Sequence, residues 1–307
     1  MPNTSAAVDQ APDVAVGPPA PRAPQGRRQS RTGPRTRRTL VKVLVAAILV
    51  IELYPLFWIL ASSLKDQNEF LTEPLWSLPS TFNWDNYVQA WTTGNLGRNT
   101  LNSIIVTLPS MAIILVLGCA AAFALEVMIW RGRNPMLLFI IGGIMAPIQI
   151  ILLPLFTIYF KAGLSDSYWP MIITYVGHGL PLTVFLMATY FRAVPRELFE
   201  ALALDGGGPF RAFFNVGLPL VRSGIFTVAL LLFFSIWNDL LIALTFNVSD
   251  DYSTIQVGLL HFNDEYGSVA YGPLFAAISI TVFGTLAVYL SINQQVMKGL
   301  TAGSVKG

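Results

Sequence analysis

Charge is what this sequence has least of. Only 12% of its 307 residues are Asp, Glu, Lys or Arg, about half the usual share in a soluble domain. Apolar residues make up 54% and mean hydropathy is +0.59. So few ions cannot cover a water-facing surface, which excludes an ordinary soluble protein and points to an integral membrane protein, all-α where its apolar runs reach the length of spanning helices. Cysteine is almost missing. The single one, Cys119, lies in an apolar run; it excludes an intrachain disulfide and reads as a small buried residue. The two histidines, His178 and His261, are far apart, so no metal site is expected. Nucleotide-binding signatures are lacking too. Gly206, Gly207 and Gly208 are followed by Pro209, Phe210 and Arg211 rather than by a Lys-Ser/Thr pair, and no G-x-G-x-x-G is present.

What is there is apolar length. Six runs are long enough to span a bilayer, about 20 residues each: 39–64, 100–127, 135–160, 169–192, 222–246 and 270–293. Residues 1–38 are a different class, rich in Pro, Ala and Gly and closed by Arg27, Arg28, Arg31, Arg35, Arg37 and Arg38. Such a segment buries too little apolar surface to fold and reads as a disordered basic tail. Juxtamembrane arginine serves topology, so no nucleic-acid partner is expected; the bilayer lipid is. With the N-terminus inside, Arg131, Arg133, Arg192, Arg196, Arg211, Arg222, Lys298 and Lys306 also fall inside. Asp66, Glu69, Glu73, Asp85, Asp166, Asp250, Asp251, Asp264 and Glu265 fall outside. That asymmetry places both termini in the cytoplasm. The external segments 65–99 and 247–269 are rich in Trp and Tyr. They suit either an interfacial aromatic belt or a surface for a soluble partner.

Four polar groups fall inside the runs: Glu52, His178, Asn238 and Asp239, with Trp237 beside the last two. Intramembrane ionisable groups cost about 2.5–3.5 kcal/mol on insertion scales and face a cavity or a partner. Glu52 suits an interhelical hydrogen bond. Trp237, Asn238, Asp239 and His178 are the candidates for a substrate pathway. Between the fourth and fifth runs, at 193–221, Pro195 and Glu197 open a short helix with Leu198, Ala201 and Leu202 on one face. Asp205 ends it and the glycines permit a reversal. A second short helix from Phe210 to Val216 carries Phe213 and Phe214 beside Phe210. The pattern predicts a cytoplasmic helix–turn–helix hairpin with an exposed apolar ridge, the mark of a protein contact.

Pro195 to Gly207, "PRELFEALALDGG", resembles the Glu-Ala-Ala…Gly loop of permease subunits in binding-protein-dependent ABC importers. "FFNVGLPL", "YPLFWILASSLK" (Tyr54 to Lys65) and the tail "QQVMKGLTAGSVKG" (Gln294 to Gly307) are similar to further parts of the sugar-importing branch. They resemble the second permease of maltose and glycerol-phosphate importers, over about residues 40–307. Leu202 stands for the second Ala of the family's pair and Ser223 for a common Pro. The resemblance implies an ABC importer type I permease fold in a bacterial inner membrane. It implies a heterodimer with a second permease, a dimer of ATPase subunits that holds ATP and Mg, an extracytoplasmic binding protein, and a sugar substrate. Glu197, Glu200, Ala201, Leu202, Asp205, Gly206, Gly207 and Phe213 would couple to the ATPase. The tail of 294–307, with Gly299, Thr301, Gly303 and Lys306, would touch it as well. No catalytic residue and no bound cofactor is implied for this chain. A permease for a non-sugar solute is the alternative, and a polytopic enzyme fits less well. The two adjacent acidic pairs, Asp250-Asp251 and Asp264-Glu265, lie in polar external turns.

Overall fold

The computed structural model describes residues 35–262 and 269–304, with side chains from 38 to 291. The basic tail up to residue 34, residues 263–268 of the second external segment, and Lys306 lie outside the described residues. The chain falls into two compact units, 1–52 and 53–307. The described part of the first is helical and exposed throughout its resolved side chains, Glu52 included.

Every described element is helical. The order is α1 (Arg35–Ser62), α2 (Gln67–Thr72), α3 (Asp85–Thr92), α4 (Leu96–Glu126), α5 (Arg133–Gly142), α6 (Ile148–Lys161) and α7 (Trp169–Arg192). It continues with α8 (Arg196–Leu204), α9 (Pro209–Ala212), a π-helical turn (Phe213–Gly217) and α10 (Leu218–Leu220). The chain then runs through α11 (Arg222–Trp237), α12 (Leu241–Phe246), α13 (Ile255–Gly258) and α14 (Tyr271–Ser304). Among the described residues four helices are long and apolar enough to cross a membrane, and the number rises to six if two bent pairs, Arg133–Met145 with Ile148–Lys161 and Pro209–Leu220 with Arg222–Trp237, each count as one span.

Two of the expected spans are broken. The run 135–160 divides into α5 and α6, which are bent by 93° at a short break. Ala146 sits in extended backbone (φ −75°, ψ 112°) directly before Pro147. The proline ring disfavours a helical residue in front of it and brings no N–H to continue the ladder. The run 222–246 divides as well. α11 ends at Trp237, and α12 begins at Leu241 beyond Asn238 and Asp239. Sixteen residues of α11 reach about 24 Å, and α12 continues the run beyond the break. α14 is longer than expected, running through the expected tail as far as Ser304.

The core is built on α4 and α7, which pack along most of their length. Without a hydrophobic driving force between helices in lipid, close backbone approach decides such packing. Gly118 of α4 admits the Thr183 methyl of α7, and Gly179 of α7 admits the Ile114 side chain of α4. α11 leans on α7 in the same way. A Cβ on Gly224 would stand 2.5–2.7 Å from three ring atoms of Tyr190. Gly224→Val is therefore expected to force α11 away from α7 at a cost of about 1–3 kcal/mol. The measurement is the thermal unfolding midpoint in detergent, and an unchanged midpoint would remove this contact from the core.

The first external segment is folded rather than a loose connection. Lys65 is 1% exposed; its Nζ donates to Ser77 Oγ at 2.9 Å and lies 5.6 Å from the centre of the Phe70 ring. Asn86 Nδ2 donates to the carbonyls of Ser63 and Lys65, both at 2.9 Å. Gln67 spans from α2 to the start of α14, donating to Val269 O at 2.7 Å and accepting from Tyr271 N at 3.0 Å. Trp76, Trp84 and Trp91 remain exposed on this layer. The second external segment is pinned to α4. Asn102 Nδ2 donates to the carbonyls of Asp251 and Ser253, and Ser103 Oγ accepts from Ile255 N at 2.8 Å.

Candidate functional site

The hairpin between α7 and α11 is built from local rules. Pro195 stands in extended backbone (φ −57°, ψ 130°) at the start of α8, with Glu197 in the first turn. The helix stops in a Schellman arrangement, in which a left-handed residue lets the last carbonyls find donors. Gly206 N–H donates to Ala203 O at 3.0 Å and Gly207 N–H to Leu202 O at 2.8 Å. Gly206 carries the left-handed backbone, φ +76°. Gly207 has a different reason to lack a side chain, since a Cβ there would lie 2.6 Å from Leu202 Cγ. Pro209 then opens α9 at the position where its missing N–H costs nothing.

The faces differ from the expected ones. Leu202 is half-buried and fills the inside of the reversal against Gly207. Phe213 is half-buried too and packs edge-on against Phe123 of α4, ring centres 5.2 Å apart. The exposed apolar ridge consists instead of Leu204, 90% exposed, and Phe210, 82% exposed, flanked by Leu198 and Phe214. Glu197, Glu200, Ala201 and Asp205 are exposed around it. Gly299, Thr301 and Gly303 fall in the distal part of α14, and their side chains lie outside the described residues.

The intramembrane candidates separate into three environments. His178 is exposed on α7 and lines a cavity of about 270 Å³ with Thr183 and with Ser235 of α11. Thr183 Oγ1 is buried there and has no hydrogen-bond partner among the described residues. Asn238 lines a second cavity, of about 530 Å³, with Gln256, Thr285 and Tyr289. Its Nδ2 donates to Phe234 O at 3.1 Å. Trp237 stacks on Phe233, with ring centres 5.4 Å apart, and donates its Nε1–H to Thr285 Oγ1 at 3.1 Å. Asp239 has a structural task. Its Oδ1 accepts from Tyr175 OH at 2.9 Å and from Ile242 N at 2.8 Å, which caps α12 and ties it to α7. The cap motif of Asp at a helix start is legible in sequence; the Tyr175 partner is not.

One contact escaped sequence reasoning altogether. At the base of the hairpin Arg192 forks onto Glu126, Nε to Oε1 and Nη2 to Oε2, both at 2.9 Å. Glu126 was one acid at a helix end, and nothing in its local pattern pointed to α7.

A family model described as "Binding-protein-dependent transport system inner membrane component" matches residues 99–296. The chain belongs to that family. As an inner-membrane component it is a multi-pass membrane protein, and the transport it serves is binding-protein-dependent. It is 33% identical over 258 residues to the diacetylchitobiose uptake system permease protein NgcG of Streptomyces coelicolor, covering 84% of this chain and 85% of the relative. It is 32% identical over 277 residues to the trehalose transport system permease protein SugB of Mycobacterium tuberculosis, covering 88% and 98%. Among solved structures, a chain of a bacterial ABC transporter that imports the acidic polysaccharide alginate has the same fold. The TM-score is 0.72 at 21% identity, covering 85% of this chain and 98% of that one.

Proposed function

We propose that this permease component carries a sugar inward as one half of a permease heterodimer, and that its α8–α9 hairpin seats in an ATPase subunit. The observation that carries the docking half is the hairpin tip. Leu204 and Phe210 are almost wholly exposed beside Glu197, Glu200 and Asp205, on the side to which the charge asymmetry assigns the cytoplasm. A rigid pair of large apolar side chains with an acidic rim is an anchor for a protein cleft. ATP and Mg belong to the ATPase subunits, and the work of hydrolysis reaches this chain as movement of the hairpin. The sugar half rests on relatives named for uptake of diacetylchitobiose and trehalose.

The substrate pathway is best placed on the α7–α11 face where His178, Thr183 and Ser235 share a cavity. Hydroxyl and imidazole groups offer both donors and acceptors, which suits the hydroxyls of a sugar. His178→Leu is expected to lower uptake about tenfold, the value of one lost polar contact of about 1.4 kcal/mol, without loss of the folded protein. Wild-type uptake in that variant would move the path elsewhere. The wider test is purification of the assembled importer in mild detergent, followed by a screen of binding proteins loaded with different solutes. A sugar-loaded binding protein should stimulate ATP hydrolysis. Stimulation by a peptide or an ion and by no sugar would replace the sugar half of the proposal.

A further inference from the structure

The hairpin hangs from the membrane helices by more than chain continuity. Its covalent exit leads to α11, yet the stretch Pro209–Leu220 is bent by 74° from α11. Its packing leads instead to α4, a helix that ends at Glu126, far upstream in sequence. Phe123 of α4 is the centre. Its ring meets Phe191 of α7 at 5.6 Å, Phe199 of α8 at 5.9 Å and Phe213 of the π-turn at 5.2 Å, all edge-on. Edge-to-face pairs are directional, so the four rings resist rotation against one another.

The π-turn completes the knot. Its wider loop closes with Leu218 N–H donating to Phe213 O, and single π-helical turns inside α-helical stretches recur at functional places. It brings Gly217 so close that an added Cβ would lie 3.3 Å from the Phe191 ring and 3.4 Å from the Phe123 ring. One turn further along α4, Glu126 accepts the Arg192 fork, and its side chain is only 14% exposed. Arg133 at the start of α5 and Arg196 at the start of α8 add to the positive field at the same carboxylate. Bidentate guanidinium–carboxylate pairs fix angle as well as distance.

We propose that Phe123 and Glu126 form the joint that passes hairpin movement into the membrane, so that α4, α7 and the hairpin turn as one body. The inference rests on the hairpin seating in an ATPase subunit, as proposed above. Both residues are positioning residues: neither is on the exposed ridge, and neither lines the His178 cavity.

The test uses the full importer and reads solute taken up per ATP hydrolysed. Phe123→Ala and Gly217→Val are expected to keep ATP hydrolysis within twofold while uptake per ATP falls about tenfold or more. Because core variants can fail to assemble, Glu126→Gln, Arg192→Gln and the double variant form a second arm at the rim. If one fork transmits the movement, the double variant loses no more than the worse single one. Wild-type uptake per ATP in the assembled variants, or additive losses in the double, would overturn the joint. A Cys119→Ala background with Gly208→Cys, an exposed position beside the ridge with open space around it, cross-linked to an engineered cysteine in the ATPase cleft, separates the two readings. Cross-linking that persists in the variants while uptake per ATP falls supports the joint. Cross-linking that persists while the ratio is unchanged rejects the joint alone. Absence of the cross-link in the otherwise unaltered chain rejects the seating of the hairpin and the joint with it.

Discussion

Replacing Leu204 and Phe210 together by serine should lower uptake by about a hundredfold, from about 1–2 kcal/mol lost at each of two anchors. The two side chains are the most exposed large apolar groups of the hairpin, and neither contributes to packing inside this chain in proportion to its size. Removing them therefore leaves the fold nearly unchanged: surface substitutions of this kind shift stability by about 0.5 kcal/mol or less. The expected result is a membrane-inserted, folded chain that no longer holds its ATPase subunits through detergent purification. Leu202→Ser and Phe213→Ser make the comparison. Both residues point inward, against Gly207 and against Phe123, so they should lower the unfolding midpoint as well as uptake. Retention of the ATPase by the Leu204/Phe210 double variant would show that the apolar tip is not the anchor. Loss through Glu200→Ala or Asp205→Ala would then shift the contact to the acidic rim.

Asp239→Ala should destabilise the chain by about 2–4 kcal/mol, the sum of a helix cap and a hydrogen bond to a charged acceptor. The carboxylate joins Tyr175 OH and the start of α12 in one place, and α12 continues the chain after the break that ends α11. Without it Tyr175 keeps a buried hydroxyl with no acceptor, and the break at Asn238–Leu240 loses its cap. Thermal unfolding in detergent should register the loss, and Tyr175→Phe should recover part of it by removing the orphaned donor. Solute preference should not change, because Asp239 lines neither the His178 cavity nor the Asn238 cavity. A changed preference at unchanged stability would put Asp239 on the pathway after all.

These two cases mark where sequence reasoning reached and where it stopped. Asp239 was visible as a charge in an apolar run, and a charge there needs a reason. The sequence could offer a pathway or a partner. The choice between them lay with Tyr175, 64 residues away. The hairpin was legible because its parts are local: an acidic first turn, a glycine where the backbone turns left-handed, and a proline opening the next helix. Its faces were less so. Phe210, Phe213 and Phe214 line one apolar groove against α4, and their cover depends on what α4 brings there. Phe213 packs on Phe123, while Phe210 stays 82% exposed.

By itself the amino-acid sequence determined that this is a helical membrane protein with six apolar runs, and where its hairpin lies along the chain. Each of these follows from transfer of side chains between water and lipid, or from backbone preferences within a few residues, and both can be summed along a chain. Tertiary structure alone decided that α5 and α6 meet at 93° where the span breaks at Pro147. It also decided that Asp239 holds Tyr175 of α7, that Leu204 and Phe210 are the exposed side chains of the hairpin, and that Phe123 packs the hairpin against α4 while Glu126 ties α4 to α7. Those depend on direction and on partners distant in sequence. A sum of residue preferences records how much surface leaves water, and it does not record what that surface meets.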